Sequence, residues 1–495
     1  MDTTRLTVHP SFPVGAVRPT VFGGFVEHMG RCVYEGVYDP GSRHADEHGC
    51  RRDVLDALGR LRLTTMRYPG GNFASGYHWR DGIGPRADRP TVRELAWQSI
   101  EPNEFGTDEF LALCHRMDWD PMLAVNLGTG TPEEARDWVE YCNAPLGSRV
   151  ADQRAENGHA EPYGVKLWCL GNEMDGEWQL GHVPAHDYGV RAQQAAKLMK
   201  DLDPTIRTVV CGSSGTWIRT FAQWDREVLR YVGDHADYVS LHRYAENHAR
   251  DTPEFLATGA SIDGQIEAID AVCRTVQAER RSKKRAYLCF DEWNVWYKNQ
   301  EVDGAGKRAP HLIEEIYNLE DALVVAQFLN SFIRHADVVH VANLAQVVNV
   351  IAPLLTRGDD LLVQSSFHVL RMFAERRDGT ALRMSTDGPT YQTRGSGEVP
   401  TVDASAIIDG ATLHLFCVNR STDGVAPVEL EVPGSNGAAL RDGELLTGTA
   451  PDVMNTFEDP EAVAPVAFDE VATTDVGVRF ALPPLACAAL TLDLT

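Results

Sequence analysis

Three observations predict the fold class. Eight short apolar runs alternate with amphipathic stretches between residues 15 and 375, polar side chains gather at the ends of those runs, and the texture switches to two-residue alternation from residue 376. Together they predict an α/β chain: a (β/α)8 barrel of the TIM type with an additional antiparallel β-sandwich, jelly-roll-like in its strand spacing. The barrel takes residues 15–375 and the sandwich residues 376–495, completed by residues 1–14. At 495 residues the chain is too long for one small core.

The runs can be read in order. They are Val21–Val26, Leu63–Tyr68, Pro121–Asn126, Val165–Leu170, Thr208–Cys211, Tyr238–Leu241, Ala286–Phe290 and Val338–Val341. Helix-like segments separate them. In the one that begins after Thr131, that threonine is placed as N-cap and Pro132 takes the first helical position. A doubly wound open sheet is the rival architecture, and it wants a glycine-rich phosphate turn after its first strand. Here the first run is followed by Glu27-His-Met-Gly-Arg, which favours the barrel. Beyond residue 376, Thr412–Val418, Pro427–Val432, Val478–Leu482 and Ala488–Leu494 alternate and are punctuated by Gly, Pro and Asp. The opening run Arg5–His9 is expected to pair into that sandwich.

Composition sets the outer bounds. A hydrophobic content of 43% and a charged content of 24% are ordinary for a soluble globular protein. A net charge of −25 argues against a nucleic-acid partner, which wants a basic stripe. No apolar run is long enough to span a bilayer, and the N-terminal residues lack the pattern of a signal peptide. The ten cysteines include no Cys-x-x-Cys pair, and Cys169, Cys211, Cys289, Cys417 and Cys487 lie inside apolar runs. Reduced thiols and a cytoplasmic location are expected.

Catalytic residues of such a barrel gather at the C-terminal ends of its strands. Those ends carry Glu27, then Arg67-Tyr-Pro-Gly-Gly-Asn72, Asn126, Asn172-Glu173, His242-Arg-Tyr244, Glu292 and Gln346. A single buried glutamate is most simply half of an ion pair. Two of them, Glu173 after Gly-Asn and Glu292 before Trp-Asn, point instead to the paired carboxyl groups of glycoside hydrolysis. Arg67 and Tyr244 are candidates to hold one carboxylate charged, and the Asn172 amide is a candidate to bind a sugar hydroxyl. His242 is read as part of the site because Tyr244 follows at strand spacing.

Other features have blander readings. His44 and His48 stand four apart but lack further converging ligands, so a solvated turn is expected and no metal site. Gly212-Ser-Ser-Gly-Thr lacks the lysine of a P-loop and reads as a strand-to-helix turn. Trp168 and Trp224 read as packing residues.

Seven segments carry a closer resemblance. They are Phe22–Gly30, Arg67–Phe73, His78–Pro85, Asn103–Asp108, Gly171–Gly176, Asp291–Trp296 and Leu344–Ile351. In order and spacing the chain resembles the α-L-arabinofuranosidases of glycoside hydrolase family fifty-one. Asn143–Asp152, a variable-looking loop, and Ser366–Phe373 match that family less well. The resemblance implies retaining, cofactor-free and metal-free removal of terminal arabinofuranosyl groups from arabinose-containing oligosaccharides. It implies Glu173 as acid/base and Glu292 as nucleophile. It makes Glu27, Asn72, Asn172, Tyr244 and Gln346 contacts to the sugar or the nucleophile, and Trp97 and Trp296 pocket walls. It also implies a cytoplasmic homo-oligomer, a hexamer in many members. A related barrel xylosidase or endoglucanase is the alternative, which an open groove favours over a closed pocket. A sugar-binding protein without turnover is a third reading, disfavoured by the presence of both glutamates.

Overall fold

The computed structural model describes residues 3–435 and 437–494. Eight parallel strands close into a barrel, each paired with the next in sequence and the last with the first. They are Gly23–Phe25, Thr65–Tyr68, Asp120–Ala124, Leu167–Leu170, Arg207–Val210, Tyr238–Ala245, Tyr287–Val295 and Val339–Leu344. All eight predicted runs are therefore barrel strands. The first is shorter than expected because Pro19–Val21 turns as a 3-10 helix. The sixth and seventh are longer and carry their polar ends within the sheet.

The barrel interior is filled, not open. Met122, Ala124, Leu167, Cys169, Val209, Cys289 and Val341 form its inner cluster. Small and medium side chains suit this crowded axis and leave a firm floor beneath the C-terminal mouth. Outside, the helix Pro132–Asn143 starts as the sequence predicts, with the Thr131 hydroxyl accepting from the Glu134 amide. Asn143–Asp152 is not a loop throughout. Ser148 caps a short helix, Arg149–Glu156, because Val150, Ala151 and Arg154 have a buried surface to cover.

Among the described residues ten strands make the main sheet of the second domain. The opening strand Thr4–Ala16 runs antiparallel to Thr380–Asp387 and parallel to Ala426–Glu431. The sheet curls until Ala438–Leu446 and Gly477–Leu482, each next to an end strand, touch. Its inner faces then share one core that includes Leu6, Val8, Leu415, Leu430, Phe480 and Leu490. The helix Leu319–Arg334 lies between the two domains and is buried over nearly its whole length. Its polar residues find partners across the junction: Asn330 and Arg334 donate to Asp403, and Gln327 accepts from Arg420. All ten cysteines are free and buried. Among the described residues no helix is long and apolar enough to cross a membrane.

Candidate active site

A cavity of about 660 Å³ opens at the C-terminal mouth of the barrel, and Glu27, Asn72, Trp97, Glu173, Glu292 and Gln346 are on its wall. One oxygen each of Glu173 and Glu292 and one nitrogen of His242 lie within 4.8 Å of one another. The sequence-predicted carboxylates thus converge over the barrel mouth.

A bulge in strand seven sets the floor. Ser240 pairs with Cys289 and His242 with Glu292, so three residues of strand seven oppose two of strand six. The extra residue lets Asp291 and Glu292 both turn inward, where strict alternation would send one outward. Arg67 lies between them, fully buried. Its Nη1 donates to Glu292 Oε1 at 2.7 Å, its Nη2 donates to Asn172 Oδ1 at 2.7 Å, and its Nε stands 3.3 Å from Asp291 Oδ2. The Phe25 ring closes its other face, 4.6 Å away. The Tyr244 hydroxyl donates to Glu292 Oε2 at 2.8 Å.

His242 links the carboxylates. Its Nδ1 is 2.8 Å from Glu173 Oε1 and 3.4 Å from Glu292 Oε2, and its Nε2 is 3.4 Å from Asp291 Oδ1. Burial opposes its charge, yet Glu292, Asp291 and Glu173 together hold the imidazole pKa well above its usual value. Burial likewise works against the Asp291 carboxylate, but Arg67 and His242 outweigh it and hold its pKa at about 2. For Glu292, burial pushes the carboxyl upward and Glu173 adds to this, against the pull of His242 and Arg67. Glu173, His242 and Glu292 bring three ligand-type atoms together, and the Arg67 guanidinium supplies positive charge beside Glu292.

Glu27 closes the far end. Its Oε1 accepts from Phe73 N and Trp97 Nε1, and its Oε2 from Gln346 Nε2. Burial first, and Glu292 second, raise its pKa to about 8. Gly71 is required here, since a Cβ would lie 2.5 Å from the Glu27 carboxylate. This is the physical content of the Pro-Gly-Gly-Asn segment. Asn72 Oδ1 accepts from Asn172 Nδ2 at 3.2 Å. The Asn172 amide, expected as a sugar ligand, is thus engaged at both ends by protein groups. Trp296 lies on the wall and meets Tyr244 edge to face at 5.5 Å. Asn126 turns away from the cavity and accepts from the amides of Gly128, Thr129 and Gly130.

Glu173 stands on the opposite, open side. Its φ of 43° places it in the left-handed region, a conformation a non-glycine residue holds only where its surroundings impose it. Trp178 Nε1 donates to its Oε2 at 2.6 Å. Trp178 in turn contacts Trp217, ring centres 5.5 Å apart, and the two indoles are 46% and 71% exposed. Neither tryptophan was singled out from the sequence. The legible signal is Gly-x-Trp, in Gly176-Glu-Trp178 and Gly215-Thr-Trp217, where each indole folds over its glycine and a Cβ would approach to 2.4 Å. The segment Gly212–Thr216 does connect strand to helix, but as a long loop whose Ser214 holds Asp175. Trp168 and Trp224 are buried packing residues, and His44 bonds within its own turn.

Two carboxylates across a pocket at the mouth of a closed barrel define a glycoside hydrolase site. Comparison with known proteins narrows the class. The model of the α-L-arabinofuranosidase 1 domain matches residues 57–259, and that of the α-L-arabinofuranosidase C-terminal domain matches residues 291–486. An intracellular exo-α-(1→5)-L-arabinofuranosidase of Streptomyces lividans is 43% identical over 98% of this chain and 74% of its own length. An exo-α-(1→6)-L-arabinofuranosidase of Bifidobacterium longum is 41% identical over 99% and 97%. A family 51 α-L-arabinofuranosidase structure from Bifidobacterium longum superposes with a TM-score of 0.95 at 36% identity, covering 99% of this chain and all of that one. The chain belongs to the α-L-arabinofuranosidases of glycoside hydrolase family 51.

Proposed function

We propose that this protein is a retaining, exo-acting α-L-arabinofuranosidase that releases terminal arabinofuranosyl groups from arabinose-containing oligosaccharides. One observation carries the retaining assignment. Carboxyl oxygens of Glu173 and Glu292 approach within 4.8 Å, near the ~5–5.5 Å of retaining enzymes and short of the ~6.5–9.5 Å that an intervening water requires. Exo action rests on the closed end of the pocket, where Glu27, Trp97 and Gln346 are tied together and leave no exit for a longer chain.

In this reading Glu292 attacks the anomeric carbon. Arg67 and Tyr244 each hold one of its oxygens, which orients the carboxylate and favours its ionised form. Glu173 protonates the leaving oxygen, and a glycosyl-enzyme forms. Glu173, now ionised, accepts from His242 and Trp178, and it takes the proton of the water that releases arabinose. Glu27, neutral until about pH 8, keeps a second negative charge away from the nucleophile. Trp178 and Trp217 flank the open side and are suited to stack on the leaving sugar, so linkage preference resides there. Relatives named for α-(1→5) and α-(1→6) linkages share the family, which fits a linkage preference set outside the buried end of the pocket.

The same reading takes residues 15–375 as the catalytic unit, with residues 376–495 and 1–14 as its accessory sandwich. It places the protein in the cytoplasm, as the names of relatives suggest, and as a homo-oligomer, a hexamer by family resemblance. Hydrolysis of 4-nitrophenyl α-L-arabinofuranoside by wild type, with the β-D-xyloside as control, tests the substrate assignment. Turnover of the arabinoside is expected, and turnover of the xyloside alone overturns it. Light scattering of the purified protein checks the oligomer.

A further inference from the structure

A second cavity, of about 810 Å³, lies at the other end of the barrel, beneath the N-terminal ends of its strands. Its charge runs against that of the molecule. The whole chain has 71 acidic and 46 basic residues. This cavity is lined by six cations, Arg18, Lys166, Arg207, Lys283, Lys284 and Arg285, against two acids, Asp120 and Asp237. Three of the cations are already neutralised: Lys166 by Asp203, Lys284 by Asp237 and Arg285 by Asp270. Asp237 is also held by Lys200. Among the described residues Arg18, Arg207 and Lys283 form no ion pair with a carboxylate within 4.0 Å, which leaves three free cations against Asp120.

The cavity wall lies in that field. His340, buried and stacked on Tyr287 with ring centres 3.8 Å apart, has its pKa lowered to about 4 by burial and then by Arg18 and Arg285. Arg207 Nη1 donates to the Tyr238 hydroxyl, which fixes one guanidinium at the cavity edge. Clustered like charges repel, and a concave wall focuses their field on an anion.

We propose that this lower cavity is a binding site for a multiply charged phosphate compound, separate from the arabinoside pocket. Phosphate is the class favoured because arginine and lysine present several donors to its oxygens, and the cavity has room for more than one phosphoryl group. Calorimetric titration of the full-length protein with inorganic tripolyphosphate tests the charge requirement. A parallel titration with a pentose monophosphate asks whether one phosphate on a sugar suffices.

Saturable binding at one site per chain is expected. It should weaken at least tenfold in Arg18→Gln/Arg207→Gln and severalfold in Lys283→Gln, with 4-nitrophenyl α-L-arabinofuranoside turnover unchanged in both as evidence of folding. Among the described residues Lys283 forms no ion pair with a carboxylate, so its variant keeps the test decisive if the double variant fails to fold. Absence of saturable binding of either compound, or binding equal in wild type and Lys283→Gln, would overturn the proposal.

Discussion

The two sides of the arabinoside pocket are built on opposite principles. Glu292 sits in a rigid, buried setting, with one oxygen on Arg67, the other on Tyr244, and Asp291 and His242 behind. Glu173 sits on a left-handed turn beside two exposed indoles, with one oxygen on His242 and the other on Trp178. A nucleophile benefits from being held in one place and one charge state. An acid/base must give and take a proton and admit successive partners, so it needs an open side. Under the proposed roles, one barrel mouth serves both tasks because strand ends differ in burial, not in residue type.

The largest effect should come from the closed side. Glu292→Ala is expected to lower kcat on 4-nitrophenyl α-L-arabinofuranoside by at least ~10⁴-fold, since it removes the proposed nucleophile. Retained activity within tenfold of wild type would break the contrast at its root. On the open side, Glu173→Ala should lose ~10²–10⁴-fold on arabino-oligosaccharides, whose leaving group needs a proton. Its loss of kcat/KM on a dinitrophenyl arabinoside should be far smaller. Equal losses on both substrates would contradict the acid assignment.

The groups behind Glu292 should matter for stability as well as rate. Asp291 drops from 3.8 to about 2 on folding, so its ionised form stabilises the fold above the unfolded value. About 2 kcal/mol of that stabilisation should be lost as pH falls from about 4 to about 2. Asp291→Asn leaves Arg67 and His242 short of a counter-charge and should cost about 3–5 kcal/mol at neutral pH. Urea unfolding of the two proteins at neutral pH and down to about pH 2 measures both, and an unchanged midpoint would remove Asp291 from the account.

Much of this was legible in the chain, and the omissions have physical causes. The eight strands could be read because each is a short apolar run, and the two glutamates because a carboxylate at the end of such a run is costly unless used. Asp291 escaped notice because simple alternation turns it away from Glu292, and only the bulge brings both inward. Trp178 and Trp217 were missed because they lie in loops, where no periodicity marks a functional side chain. The helix at Arg149–Glu156 was hidden by the Pro and Gly before it, although Ser148 stands in the cap position. The sequence could not show that the Asn172 oxygen accepts from Arg67 and that its nitrogen donates to Asn72, because those partners come from another strand end.

Smaller effects sharpen the contrast further. Glu27 has its pKa raised to about 8 and is neutral below it. As pH rises past that value a second charge develops near Glu292, so kcat/KM should fall about tenfold per unit. A pH–rate profile flat to pH 10 would show that Glu27 does not govern the closed end. Trp217→Ala should raise KM for arabino-oligosaccharides by about tenfold, the loss of one aromatic contact, and leave the aryl arabinoside almost unaffected. An equal change for both substrates would mean that the rim acts on the catalytic groups and not on the leaving sugar.

The most direct test is mass spectrometry of Glu173→Ala quenched during turnover of the dinitrophenyl arabinoside. Removing the acid/base slows release, so a single pentosyl group should accumulate on the peptide that carries Glu292 and be absent from Glu173→Ala/Glu292→Gln. Turnover without any covalent adduct, or an adduct on another carboxylate, would contradict the assignment of Glu292 as the nucleophile of a two-step mechanism.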